Sequence, residues 1–257
     1  MVAIQRALAA TLSRRRLLAV GVGLAYSGLL TACGLGRTGS NPVSPSATTT
    51  ASTVPVSTPA CVVTPRETEG PYFVDERLNR ADIRTDPSDG STRPGLPLML
   101  TFTVARYGSP CAALAGAQVD VWHCDALGLY SDVGAENSSG RQFLRGYQLT
   151  DADGKVTFAT IYPGWYRGRT VHIHFKVRTF SGAQKTSEFT SQIFFADAVS
   201  DEVYKQAPYS SRGARDTRNA SDMVFTSNDN SGSKLMAALT RTGSGYDASF
   251  AIGLTSV

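Results

Sequence analysis

Apolar residues gather in six short stretches: 96–105 (LPLMLTFTVA), 117–124 (AQVDVWHC), 155–161 (KVTFATI), 170–177 (TVHIHFKV), 190–195 (TSQIFF) and 249–254 (SFAIGL). Each is rich in β-branched and aromatic residues, and turn signals separate them: Asp153-Gly154, Pro163-Gly164 and Ser181-Gly182. This predicts strands. Only residues 233–240 have a spacing that suits a helix, and no internal repeat is visible. Many short strands joined by turns predict an all-β fold, an antiparallel β-sandwich with long irregular loops. Residues 197–230 are polar and irregular, with Pro208 and Gly213, and are expected to form an excursion packed on the sandwich.

The first 60 residues have a different character. Ser13-Arg14-Arg15-Arg16-Leu17-Leu18 places an arginine pair ahead of an apolar run that ends at Leu30-Thr31-Ala32-Cys33. A basic start, a short apolar run and a small-residue cleavage site predict a secretory signal over 1–32. The arginine pair resembles a twin-arginine export signal, and Leu-Thr-Ala-Cys resembles a lipobox. Cys33 would then carry the lipid and hold the protein at a membrane, facing away from the cytoplasm. Residues 33–60 are dominated by Ser, Thr, Pro, Ala and Gly, a composition that cannot bury enough apolar surface to fold. They are expected to be a tether, leaving 61–257 as one domain.

This division changes the charge. The chain carries a formal net charge of +4, with 25 basic and 21 acidic residues. Residues 1–32 hold Arg6, Arg14, Arg15 and Arg16 and no acidic residue, so the remainder is balanced. The basic excess belongs to the leader and gives no ground for nucleic-acid binding. Of the four cysteines, Cys61 and Cys111 lie in loop-like contexts, whereas Cys124 ends a strand and is expected to be buried. In an oxidising compartment Cys61–Cys111 is the preferred pair.

The densest chemistry lies at His172-Ile173-His174. On a strand, residues i and i+2 share a face, so the two imidazoles project together. Converging neutral imidazoles suit a metal, although a pair packed on a sheet would look the same. No Cys-x-x-Cys, His-Glu-x-x-His or facial-triad carboxylate stands nearby. Tyrosines do: Tyr166 follows the Pro163-Gly164 turn, and Tyr130 follows Gly128. Phenolates are hard anionic donors, and two beside two imidazoles would favour Fe(III) over Fe(II).

Taken together these blocks resemble the intradiol ring-cleavage dioxygenases. Residues 119–131 (VDVWHCDALGLYS) are similar to that family's Val-acidic-hydrophobic-Trp strand and Gly-x-Tyr turn. Ile161-Tyr162-Pro163-Gly164-Trp165-Tyr166 resembles its Pro-Gly-x-Tyr block, and residues 169–174 (RTVHIH) its Arg-x-x-His-x-His block. Glu69-Gly70-Pro71-Tyr72-Phe73 is similar to the segment that lines the substrate cleft. The blocks fall in family order from Glu69 to Phe195.

The resemblance implies a non-haem Fe(III) enzyme, one iron per chain, that opens a catechol-type ring with O₂ to a cis,cis-muconate-type diacid. Tyr130, Tyr166, His172 and His174 would hold the iron, with Tyr166 and His172 axial and Tyr130 and His174 equatorial. Tyr166 would also act as a base. Arg169 would stand beside the bound substrate, Gln192 would match the glutamine next to the O₂ and substrate pocket, and Tyr72 would line that pocket. His123, Trp122 and Trp165 are expected to pack, Tyr162 to be a core or pocket-wall residue, and Cys124 not to ligate metal. No N-terminal helical segment of the dimerising kind is seen, so a monomer is expected. Two other readings explain less: a non-catalytic β-sandwich binding module on a stalk, and a copper or iron carrier using only His172 and His174. Both leave the two tyrosines and Arg169 to coincidence.

Overall fold

The computed structural model describes residues 62–108 and 110–255. In strand β1 (Pro97–Arg106) Leu98, Leu100, Phe102 and Val104 are buried while their neighbours are more exposed, the period of two expected of a half-buried strand. The other strands are β2 (Ala112–Ala113), β3 (Gln118–Trp122), β4 (Arg145–Leu149), β5 (Lys155–Ile161), β6 (His172–Ser181), β7 (Gln184–Phe194), β8 (Ala238–Arg241) and β9 (Tyr246–Leu254). They form two sheets. One has the order β2-β1-β9-β8 with β5 also paired to β1, and the other has the order β4-β3-β6-β7.

The sheets enclose one core. Leu100 and Phe102 from the first meet Ile173, Phe175 and Val177 from the second, and the rings of Phe102 and Phe175 are 5.2 Å apart. The fold is thus the expected β-sandwich. All strand pairs are antiparallel except β1–β9, which is parallel. Nearly 140 residues separate the start of β9 from the end of β1, so no hairpin dictates their direction. Residues 62–92 run outside the strands and touch both sheets, through Val63 beside Gly253, Asn79 beside Tyr147 and Asp82 beside Ala159.

The expected strands are all present, 155–161 with its ends unchanged and the others with shifted ends. β6 and β7 extend through a mostly polar hairpin closed at Gly182, where Phe180 is large and apolar yet stands exposed. β4 (RGYQL) and β8 (ALTR) are poor in apolar residues and were not anticipated. Residues 233–240 are not a helix. They give the end of a 3₁₀ turn (Ser231–Lys234) and then β8. Phe194 N–H donates to Leu235 O and Ala237 N–H to Phe194 O, so this backbone is committed to the end of β7. The 197–230 excursion starts with helix α1 (Asp197–Val203), continues in short 3₁₀ turns and ends in a single helical turn at Ser227–Asn230.

Cys124 is free and buried, and burial pushes its thiol pKa up. Cys111 is disulfide-bonded. Cys61, the leader, Cys33 and the tether all lie outside the described residues. Among the described residues no helix is long and apolar enough to cross a membrane.

Candidate metal centre

Register across the four-stranded sheet aligns one row of side chains. Arg145 of β4 pairs with Trp122 of β3, Trp122 with His174 of β6, and His174 with Gln192 of β7. These residues share the face opposite the Ile173–Phe175–Val177 core, because side chains alternate along a strand. His172 lies two residues from His174 and joins it on that face. The 68–73 segment crosses above: a Cβ on Gly70 would stand 3.4 Å from His174 Cε1.

The two tyrosines come from separate turns packed backbone to backbone. A Cβ on Gly128 would lie 2.2 Å from Trp165 O, and one on Gly164 would lie 2.3 Å from Asp125 O. Only glycine allows that approach. The close packing brings Tyr130 and Tyr166 to the same point, with ring centroids 5.6 Å apart.

Their donor atoms converge with those of the histidines. His172 Nε2 is 3.1 Å from His174 Nε2, 3.1 Å from Tyr166 Oη and 3.5 Å from Tyr130 Oη. His172 Nδ1–H donates to Thr170 O at 2.6 Å, which leaves the Nε2 lone pair facing the cluster. Burial, then the Arg169 charge, pushes the His172 pKa down to about 3. Burial and the neighbouring His172 push His174 well down. Burial pushes both tyrosine hydroxyls up. Two neutral imidazoles and two phenols are therefore packed together without charge, and a bound cation is what would deprotonate the phenols. The donor set fits a hard, highly charged metal such as Fe(III).

Arg169 and Gln192 flank the cluster. Arg169 Nη2–H donates to Gln192 Oε1 at 2.6 Å, and Gln192 Nε2–H donates to Thr68 O at 2.8 Å. Arg169 Nε–H donates at 2.8 Å to Asp222, whose side chain is fully buried. Tyr72 stacks on Tyr130 with centroids 4.4 Å apart and stands edge-on to Tyr166. Its hydroxyl pKa is raised by burial and by the facing Glu136 carboxylate. Glu136 also accepts the Tyr130 backbone N–H at 2.7 Å. The sequence pointed to neither Glu136 nor Asp222, since both sit in polar loops with no motif around them.

The remaining candidates pack, as expected. His123 Nδ1–H donates to Cys124 O at 2.8 Å, and its Nε2 accepts from Thr160 Oγ1 at 2.7 Å. Tyr162 is buried with its hydroxyl 2.8 Å from Ser200 Oγ. Trp122 lies flat against His174.

Comparison with known proteins places the chain among dioxygenases. A family described as dioxygenase matches residues 68–226. Catechol 1,2-dioxygenase 1 of Acinetobacter lwoffii is 30% identical over 149 residues, 49% of this chain and 45% of that protein. The chain spans about half the length of the curated relatives it matches. A solved intradiol ring-cleavage dioxygenase from Tetranychus urticae is 30% identical with a TM-score of 0.65, over 75% of this chain and 94% of that one. The dioxygenase domain of a dioxygenase–carbohydrate-binding fusion from Streptomyces sp. SirexAA-E is 29% identical with a TM-score of 0.54, over 76% of this chain and 100% of that one.

Proposed function

The chain belongs to the intradiol ring-cleavage dioxygenase family, and from that premise we propose that it opens a catechol-type ring between its two hydroxyl-bearing carbons. O₂ is the oxidant, and both its atoms enter a cis,cis-muconate-type diacid. The observation that carries this reading is the meeting of Tyr130, Tyr166 and His174 donors around His172 Nε2, with Arg169 and Gln192 beside them.

Tyr130, Tyr166, His172 and His174 would hold the metal. Bound Fe(III) would supply a Lewis acid and an electron acceptor for the catecholate. The chain's own residues do the rest. Tyr166, a phenolate while it holds the metal, would be the chain's own acceptor for a catechol hydroxyl proton. Arg169, fixed by Asp222 and Gln192, offers its remaining N–H groups to negative charge growing on the ring oxygens. Tyr72, stacked over Tyr130, forms a wall that limits water.

The test is to supply catechol and ¹⁸O₂ to purified protein, with iron measured per chain. The expected outcome is red-brown protein with about one Fe(III) and a muconate carrying two labelled atoms. Full zinc or copper occupancy, with activity unchanged by iron removal, would overturn the proposal. For residues 1–60 the reading remains export with lipid attachment at Cys33, supported by the Arg14-Arg15 pair and the Leu30–Cys33 block.

A further inference from the structure

Asp222 belongs to the irregular excursion between β7 and β8, 53 residues from Arg169 along the chain. Its two carboxylate oxygens face different ways. Oδ1 accepts the backbone N–H groups of Val224 at 2.7 Å and Phe225 at 2.9 Å, which caps the turn that follows. Oδ2 accepts Arg169 Nε–H at 2.8 Å and Thr170 N–H at 2.7 Å. Burial alone would push this carboxyl pKa up; the Arg169 charge and the N–H donors more than offset that and hold it low. A fully buried carboxylate is thus kept ionised against one guanidinium.

We propose that Asp222 is the positioning residue for Arg169, and that the 197–230 excursion serves the reaction by delivering it. The proposal rests on the function given above. Two bonds fix the plane of a guanidinium, whereas one lets it swing. Arg169 has both: Nε to Asp222 and Nη2 to Gln192. Gln192 is held in turn by Thr68 O. The chain Thr68–Gln192–Arg169–Asp222 therefore joins the segment above His174 to the excursion, with Arg169 at its centre. Of the five Arg169 donors, those on Nη1 are left for an anionic oxygen in the site. Asp222 also balances the Arg169 charge, so Arg169 acts as an oriented donor rather than as a free cation that attracts any anion.

The competing explanation is that Asp222 only caps its own turn. Asp222→Asn separates the two, because the amide oxygen can keep the Oδ1 cap while its NH₂ faces the donors of Arg169 and Thr170. In the iron-loaded full chain, Asp222→Asn is expected to lower kcat for catechol about 10–100-fold. KM should change less, and iron content and the visible tyrosinate band should hold. In an Arg169→Ala background the same change should alter kcat less than about twofold, since residues acting as a unit are non-additive. A crystal structure of Asp222→Asn should show the Arg169 guanidinium rotated off Gln192. Equal kcat losses in both backgrounds, or Arg169 in its original place in that crystal structure, would overturn the proposal. If the unsubstituted protein does not cleave catechol, the function falls, yet the position of Arg169 in the variant still decides the positioning role.

Discussion

The rings of Trp122 and His174 lie 4.9 Å apart and within 8° of parallel, as partners across the β3–β6 ladder. The indole is a flat wall that fixes one imidazole of the donor set. Trp122→Ala removes it and is expected to cost about 3–5 kcal/mol of stability, as for other buried aromatic truncations. It should also weaken iron binding about 10–100-fold. Trp122→Phe keeps a stacking ring and should retain most of the affinity. Iron titration followed in the visible band checks both. Equal affinities for the two variants would remove the stacking role.

Tyr166→Phe should keep iron, because Tyr130, His172 and His174 remain. The visible band should shift, and catechol binding should slow for want of a proton acceptor. Arg169→Ala should leave the colour nearly unchanged while kcat falls about 10²–10³-fold, the usual cost of one preorganised donor. Anaerobic stopped-flow spectra separate the two steps. Bleaching by Arg169→Ala would contradict its placement outside the donor set.

The contact between the two tyrosine turns makes Gly164 a sensitive position. A methyl there meets Asp125 O at 2.3 Å and the Ala126 carbonyl at 2.7 Å, both of them backbone. Gly164→Ala must push the turns apart. The expected result is about 1–3 kcal/mol of destabilisation from overpacking, together with loss of iron on dialysis. Calorimetry and metal analysis read the two effects separately.

His123 gives the fold a pH dependence of its own. Burial pushes its pKa down to about 4, from an ordinary value near 6.5. Between those values the unfolded chain binds the proton and the folded one does not. Stability from neutral His123 is therefore complete above about pH 6.5 and is lost as the pH falls toward 4. His123→Gln should flatten the slope of unfolding free energy against pH in that window by about 1.4 kcal/mol per pH unit. Urea unfolding at several pH values measures it, and an unchanged slope would mean that His123 takes up the proton in the folded state.

If Cys33 carries the lipid proposed above, Cys33→Ser should release the protein from membranes without loss of activity, since residues 33–60 would separate anchor from domain. Fractionation of cells, with a lipid label on the unsubstituted protein, tests this. Wild-type protein that is free of lipid and soluble after export would rule out the anchor.

The sequence by itself determined the apolar strands and singled out the candidate donors. Apolar residues at period two in 96–105 and 155–161 choose β-structure locally, and His172-Ile173-His174 places two imidazoles on one face by covalent geometry alone. The order of the tyrosine, arginine and histidine blocks then carried the family resemblance. Tertiary structure decided what depends on register and on contacts between distant segments. It placed Trp122 and Gln192 on either side of His174, brought Tyr166 Oη within 3.1 Å of His172 Nε2, and turned 233–240 away from a helix. It also recruited Glu136 and Asp222 from polar loops. A carboxylate in such a loop looks like any solvated charge until folding buries it against a donor, and no local pattern encodes that pairing.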